Sequence, residues 1–275
     1  MKGWWSVVAL GLTGCSPFEA APTQAPDSGA ATANDASPPK ADAGPTLDGS
    51  MNDCPGTAGP KGVRVGTYCI DATEVTRGQY KAFVDANPLP LPSTSSCASN
   101  SSYVPRAEWP AAPGEQDRPV MGVDWCDAHD FCVWAGKRLC GKIGAGPVAP
   151  DAAQDATVDQ WFAACSKAGT RSFPYAGSYD AVACNGAEST PADKRVRDVA
   201  TYARCEGGYP GVFDMSGNVW EWVDACNADA ADPATTSCRI RGGDFNEGAA
   251  TMGCAASVSQ PRIGPGRFGF RCCAN

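Results

Sequence analysis

Fifteen cysteines in 275 residues, with one histidine and no Cys-x-x-Cys pair, restrict what this chain can fold into more than any other feature. Metal clusters built from Cys and His need repeated ligands at short fixed spacings, and this sequence has none. Disulfides are the remaining use, and they persist in an oxidising compartment. With Cys15 set aside, fourteen cysteines remain, an even number that allows seven bridges. Composition agrees, because 31 Gly, 23 Pro and 8 Trp suggest a loop-rich fold rather than a helical bundle.

Cys15 has its own explanation. Lys2 gives a short positive start, and Trp4 to Leu12 form an uncharged apolar stretch. That stretch suits a signal-peptide core and is too short to span a bilayer. It ends in Leu12-Thr13-Gly14-Cys15, which resembles a bacterial lipobox whose cysteine thiol carries diacylglycerol. Residues 1–15 are therefore expected to be a lipoprotein signal, with Cys15 the lipidated residue. Residues 16–53 are rich in Pro, Ala, Asp, Thr and Ser, with Phe18 the only aromatic, so they are expected to form a disordered tether. The expected address is the bacterial cell envelope, with the membrane reached through the lipid anchor.

Residues 54–275 are long enough for one domain with a sizeable core. The formal charge of −8 and the lack of any basic run argue against a nucleic-acid surface. Patterning predicts a strand pair over Lys61–Asp71 turning at Gly66. A helix follows over Thr76–Ala86, with Thr76 as N-cap. A Pro/Ser-rich loop runs from Asn87 to Pro119, a second helix is expected over Asp124–Ala135 and a short one over Thr157–Ser166. Gly-punctuated strands and loops follow, ending in Arg267-Phe268-Gly269-Phe270-Arg271-Cys272. There is no internal repeat.

Four segments, in order, resemble the formylglycine-generating enzyme (sulfatase-modifying factor) family. They are Asp71-Ala72-Thr73-Glu74-Val75-Thr76-Arg77-Gly78-Gln79-Tyr80; Pro119 to Trp125 running into Phe131-Cys132-Val133-Trp134-Ala135-Gly136-Lys137-Arg138-Leu139; Asp214-Met215-Ser216-Gly217-Asn218-Val219-Trp220-Glu221-Trp222; and Arg241-Gly242-Gly243-Asp244-Phe245 with the terminal Gly269-Phe270-Arg271-Cys272. The third is similar to the family's Gly-Asn-Val-Trp-Glu-Trp signature. The resemblance implies an α+β fold, a C-type lectin-like variant of the formylglycine-generating enzyme type, disulfide-rich and low in regular secondary structure. Read as residues alone, Trp134, Trp220 and Trp222 are core fillers beside glycines, and Lys137 and Arg138 can pair with core carboxylates.

The resemblance further implies a structural calcium ion held by the side chains of Asp214 and Glu221 and the carbonyls of Gly217 and Val219. Oxygen ligands on a tight turn suit such a hard cation. A second calcium position is implied at Asn185 and Gly186, with no further ligand assigned. Two bridges come with the family pattern, Cys132–Cys272 and Cys165–Cys254. Proximity alone suggests Cys184–Cys205 and Cys226–Cys238, and connectivity otherwise stays open.

The family's oxidase holds copper(I) between two thiolates placed shortly after the Gly-Gly-Ser-aromatic segment, and soft sulfur ligands suit that ion. Here Glu247 occupies the first thiolate position, the second falls in a shortened loop, and Asp244 replaces the serine, while Trp220 is retained. Copper is not expected. His129, the only histidine, cannot form a three-histidine iron centre, and no Gly-x-Ser-x-Gly elbow accompanies it; a solvated position on the helix is expected. Cys273 is expected in a bridge rather than as a free thiol. The resulting expectation is a non-catalytic, calcium-stabilised module that binds a protein, peptide or glycan through the Asn87–Pro119 and Asp244–Gly266 loops. The alternative is an enzyme re-equipped with Asp244 and Glu247 as a metal-binding or acid–base pair, or one retaining formylglycine-generating-type oxidation.

Overall fold

The computed structural model describes residues 54–86, 88, 97, 98, 100–227, 236–264 and 266–275. The expected signal, the lipidation site Cys15, the tether and part of the Asn87–Pro119 loop lie outside these residues. Among the described residues, no helix is long and apolar enough to cross a membrane.

Strands β1 (Gly62–Val65) and β2 (Tyr68–Asp71) form the expected hairpin, with Val65 opposite Tyr68. Gly66 turns the chain at φ 57°, a left-handed conformation that only glycine adopts without steric cost. Helix α1 (Arg77–Ala86) starts where Thr76 Oγ1 accepts from the Gln79 amide and the Gln79 side chain accepts from the Thr76 amide. Helix α2 (Trp125–Trp134) begins at an equivalent reciprocal cap between Asp124 and Asp127. Helix α3 (Gln160–Cys165) is shorter than expected, because Asp159 caps it and starts it there.

Two four-stranded sheets complete the domain. One has the order β1-β2-β8-β3, with β3 at Arg138–Leu139 and β8 at Cys272–Ala274. The other has the order β6-β5-β4-β7, with β4 Trp220–Cys226, β5 Ser237–Arg241, β6 Ser257–Pro261 and β7 Phe268–Phe270. Strand β6 lies inside the stretch expected to be loop from Asp244 to Gly266; its polar sequence Ser-Val-Ser-Gln-Pro carries little apolar signal, yet it pairs along β5. The alternating run 267–272 does not make one strand. It serves β7 in one sheet and β8 in the other, with Arg271 between them.

The largest core cluster joins α1 and α2 to the second sheet. Tyr80 stacks on Phe131 at 5.5 Å, and Phe270 meets Phe131 edge-on at 5.3 Å. Trp222 is fully buried and donates its indole N–H to the Val123 carbonyl, a core role as read from the sequence. Trp134 is only partly buried against this cluster. A second cluster surrounds Trp161 and Met215.

All fourteen cysteines from Cys54 to Cys273 are bridged. The pairs are Cys54–Cys69, Cys97–Cys126, Cys132–Cys272, Cys140–Cys273, Cys165–Cys254, Cys184–Cys205 and Cys226–Cys238. Lys137 pairs with buried Asp71 at 2.6 Å, whereas Arg138 donates to the Lys142 carbonyl and the Asn275 side chain. His129 departs from the expected solvated position. Its ring is half-buried, stacks on Trp125 at 5.0 Å and bonds Asp130 at 2.8 Å, because the face that carries it packs inward.

Candidate functional site

Strand β4 divides the chemistry between its two faces, since successive side chains point to opposite sides. Trp220 and Trp222 face the first core cluster, and Glu221 faces away from it.

On the Trp220 side lies a cleft of ≈ 530 Å³. Its aromatic lining is Trp220 and Phe268, register partners in the parallel pairing of β4 and β7. Its charged lining is Arg106, Arg267, Asp244 and Glu247. The two segments expected to form a recognition surface therefore meet here, one through Arg106 and the other through Asp244 and Glu247. Gly242 and Gly243, at φ 89° and 77°, turn the chain out of β5 and deliver Asp244 to the cleft. Asp244 accepts from the Asn246 amide at 2.8 Å and lies 3.5 Å from the Arg267 guanidinium, which also covers the Phe245 ring. Burial pushes its carboxyl above the usual range, against the pull of the Asn246 hydrogen bond and of Arg267. Glu247 accepts from Thr251 Oγ1 at 2.6 Å. Met252, the one thioether of this loop, is buried against Gly186 and does not line the cleft.

On the Glu221 side lies a buried charged centre. Glu221 receives the Arg271 guanidinium on both oxygens, with contacts from 2.7 to 3.0 Å. The Trp161 indole donates to the same carboxylate at 2.7 Å. Asp214 is buried beside it and accepts from the Ala200 amide at 2.5 Å. Burial pushes the Asp214 carboxyl up to about 6, opposed by the Ala200 hydrogen bond and by Arg271. Glu74, 0% exposed, accepts from Asn218 Nδ2 at 3.1 Å through one oxygen, and its Oε2 is buried with no hydrogen-bond partner. Burial first, and then the charge of Asp214, hold its carboxyl well above the ordinary range.

The turn that builds this centre is dictated locally. Asp214 and Asn218 both adopt left-handed backbone, at φ 58° and 62°, which Asp and Asn tolerate best among non-glycine residues. A Cβ on Gly217 would lie 2.2 Å from the Asn185 carbonyl oxygen, so only glycine fits. Asn185 and Gly186 pack against this same turn. The Asn185 carbonyl accepts from the Asn218 amide, and its side-chain amide donates to Asn218 Oδ1 and the Arg195 carbonyl.

As a cation site, the centre fits by charge. Glu74, Asp214 and Glu221 face one guanidinium, and a buried negative excess of this kind calls for a positive charge. Glu221 is the less available ligand, since three N–H groups already share its roughly four acceptor positions. The sequence reading missed Glu74, Arg271 and Arg106. A signal was present for Arg271, a charged residue between the apolar Phe270 and Cys272, both buried, since a buried charge needs a partner.

Several known proteins are similar to this chain. Inactive C-alpha-formylglycine-generating enzyme 2 of Mus musculus is 26% identical over 193 residues, covering 62% of this chain and 56% of that protein. The protein of the same name from Bos taurus is 30% identical over 143 residues, covering 47% and 42%. Formylglycine-generating enzyme of Thermomonospora curvata is 26% identical over 197 residues, covering 62% and 63%. The chain thus spans roughly half the length of the curated relatives it matches. Among solved structures, CarF shares the fold at a TM-score of 0.50 and 18% identity, over 80% of this chain and 96% of that one. Residues 40–275 match the sulfatase-modifying factor enzyme 1-like domain, and the chain belongs to that family.

Proposed function

We propose that this domain is a non-catalytic member of its family, a calcium-stabilised binding module carried on the bacterial cell envelope by a lipid on Cys15 and a tether over residues 16–53. The observation that carries the non-catalytic reading is the complete pairing of the fourteen domain cysteines. Copper(I) chemistry of the family's kind needs two free thiolates, and the cleft beside Trp220 presents Glu247 and Asp244 instead. Two relatives whose names call them inactive are consistent with this reading. A cleft with two aromatic rings, two guanidinium groups and two carboxylates suits a polar protein, peptide or glycan ligand with apolar faces. Calcium is assigned to the 214–221 turn, through Asp214, Glu221 and the Gly217 and Val219 carbonyls. When bound, it would supply the positive charge that the buried carboxylates lack.

The test is oxidation of a Cys-x-Pro-x-Arg peptide by the full chain, with copper, oxygen and reductant, followed by mass. We expect no aldehyde while an authentic enzyme converts the peptide in parallel; conversion would overturn the reading. The enzyme alternative rests on Asp244 and Glu247 sharing one cleft. It requires any turnover found to be lost in Asp244→Asn/Glu247→Gln, whereas in a binding module the pair leaves the fold intact and there is no turnover to lose. The anchor is tested separately: Cys15→Ser should release the chain from the membrane fraction, and retention there would remove lipidation from the proposal.

A further inference from the structure

We infer that the cleft beside Trp220 takes an alkylammonium group, a lysine side chain presented by a polypeptide partner, with the amine at Asp244 and Glu247 and the stem along the Trp220 and Phe268 rings. The inference rests on the binding-module reading above and names the group that the cleft selects.

Three observations carry it. The charges are sorted by depth. Trp220 and Asp244 are 6% and 4% exposed and form the floor, whereas the Arg106 and Arg267 side chains are 57% and 54% exposed and stand at the rim. The charges are also unequal. Arg106 lies 3.9 Å from Asp124 and donates to the Ile263 carbonyl at 3.2 Å, so its charge is matched outside the cleft. Inside, Arg267 at 3.5 Å from Asp244 stands against two carboxylates, and one negative charge is left over. Burial, and then the charge of Glu247, push the Asp244 carboxyl up, so a single added cation relieves both. The lining then selects among cations. Two carboxylates fall short of the roughly six to eight oxygens that a hard metal ion gathers, and ≈ 530 Å³ has room for a side chain. Aromatic faces attract an organic cation and cover its methylene stem. A planar guanidinium binds best to a carboxylate that offers both oxygens, but Asp244 Oδ1 already takes the Asn246 amide and Glu247 Oε2 the Thr251 hydroxyl. The compact ammonium, with three donors that need no fixed plane, fits this arrangement better.

The experiment is fluorescence anisotropy of the full chain with labelled pentapeptides, blocked at both ends, that differ only at the central residue: lysine, Nε-acetyl-lysine, norleucine or arginine. We expect the lysine peptide to bind, and the acetylated and norleucine peptides to bind roughly 10- to 100-fold more weakly. Asp244→Asn/Glu247→Gln should weaken the lysine peptide to a similar extent. If that double variant does not yield a fully bridged monomer, Glu247→Gln, on a half-buried side chain, is measured alone and should lose roughly 10-fold. Equal binding of the norleucine or acetylated peptide would overturn the ammonium assignment and leave the cleft a binding site. Equal binding of the arginine peptide, or unchanged affinity in the variants, would overturn it as well. No binding by any of the four would overturn this inference alone, since the non-catalytic reading falls only if the Cys-x-Pro-x-Arg peptide is converted to the aldehyde.

Discussion

Two bridges end on adjacent residues, and this makes a quantitative forecast. Cys132–Cys272 and Cys140–Cys273 close loops of 140 and 133 residues that are nearly the same loop. Residues next to each other on β8 point to opposite faces, and the two sulfurs indeed sit in different core clusters. Once one bridge is present, the other closes a ring of only about nine residues, and its loss costs about 2.5 kcal/mol in the chain-entropy picture. When both are removed, Cys165–Cys254 still shortens the path, so the larger loop lost is roughly fifty residues, or about 4 kcal/mol. Removing either pair by Cys→Ala substitution should therefore cost about 2.5 kcal/mol, and removing both about 6.5 kcal/mol. The excess over two independent losses is about 1.5 kcal/mol, and the lost sulfur packing cancels in the cycle. Urea unfolding of the four species in non-reducing buffer measures it. Additivity to within about 0.5 kcal/mol would refute the argument that the two bridges restrain one shared loop.

Two further forecasts concern buried charge. Glu221→Gln leaves the Arg271 guanidinium, 0% exposed, without its counter-ion, and should destabilise by about 3–5 kcal/mol in thermal or urea melts; a loss below about 1 kcal/mol would refute the pairing. Burial pushes Asp71 up to about 6 despite Lys137, and Asp127 up to about 8 with a further push from Asp124. Both are raised relative to the unfolded chain, so between about pH 4 and 8 the folded state holds the extra protons and stability falls as pH rises. Asp71 alone accounts for at most about 3 kcal/mol, lost by about pH 6. With chelator present, the urea midpoint should be higher at pH 5 than at pH 8, and the reverse order would refute the assignment.

The elements legible in the sequence were those fixed by local chemistry. Gly66 between strand-like residues announced a hairpin and Thr76 announced a helix start, whereas the reciprocal caps of Gln79 on Thr76 and of Asp127 on Asp124 emerged only in the structure. The cleft was partly legible, because Asp244, Glu247 and Trp220 were nominated by their positions in family segments and the fold places all three in it. Arg106 was not, since nothing near it in sequence marks a cleft 138 residues before Asp244. Strand β6 was hidden for a related reason: its pairing with β5 rests on backbone hydrogen bonds, which a polar sequence satisfies without an apolar pattern. Glu74 was quoted as part of a motif but not as a site, because its partners lie 140 and more residues away and only folding brings them near.

The passage of residues 268–274 from one sheet to the other makes the end of the chain the last piece needed by both. Phe268–Phe270 lies beside β4, and two residues later the chain enters the gap between β2 and β3. Until these residues emerge, neither sheet has all its strands, and Cys132 and Cys140 have no sulfur to meet. A chain emerging N-terminus first would thus present these two thiols and open strand edges until its last residues appear, and both sheets would close together at the end. Cys132 and Cys140 should therefore be the last cysteines to be bridged, after the five pairs that lie wholly at or before residue 254, and a chain truncated short of residue 268 should keep these two thiols free.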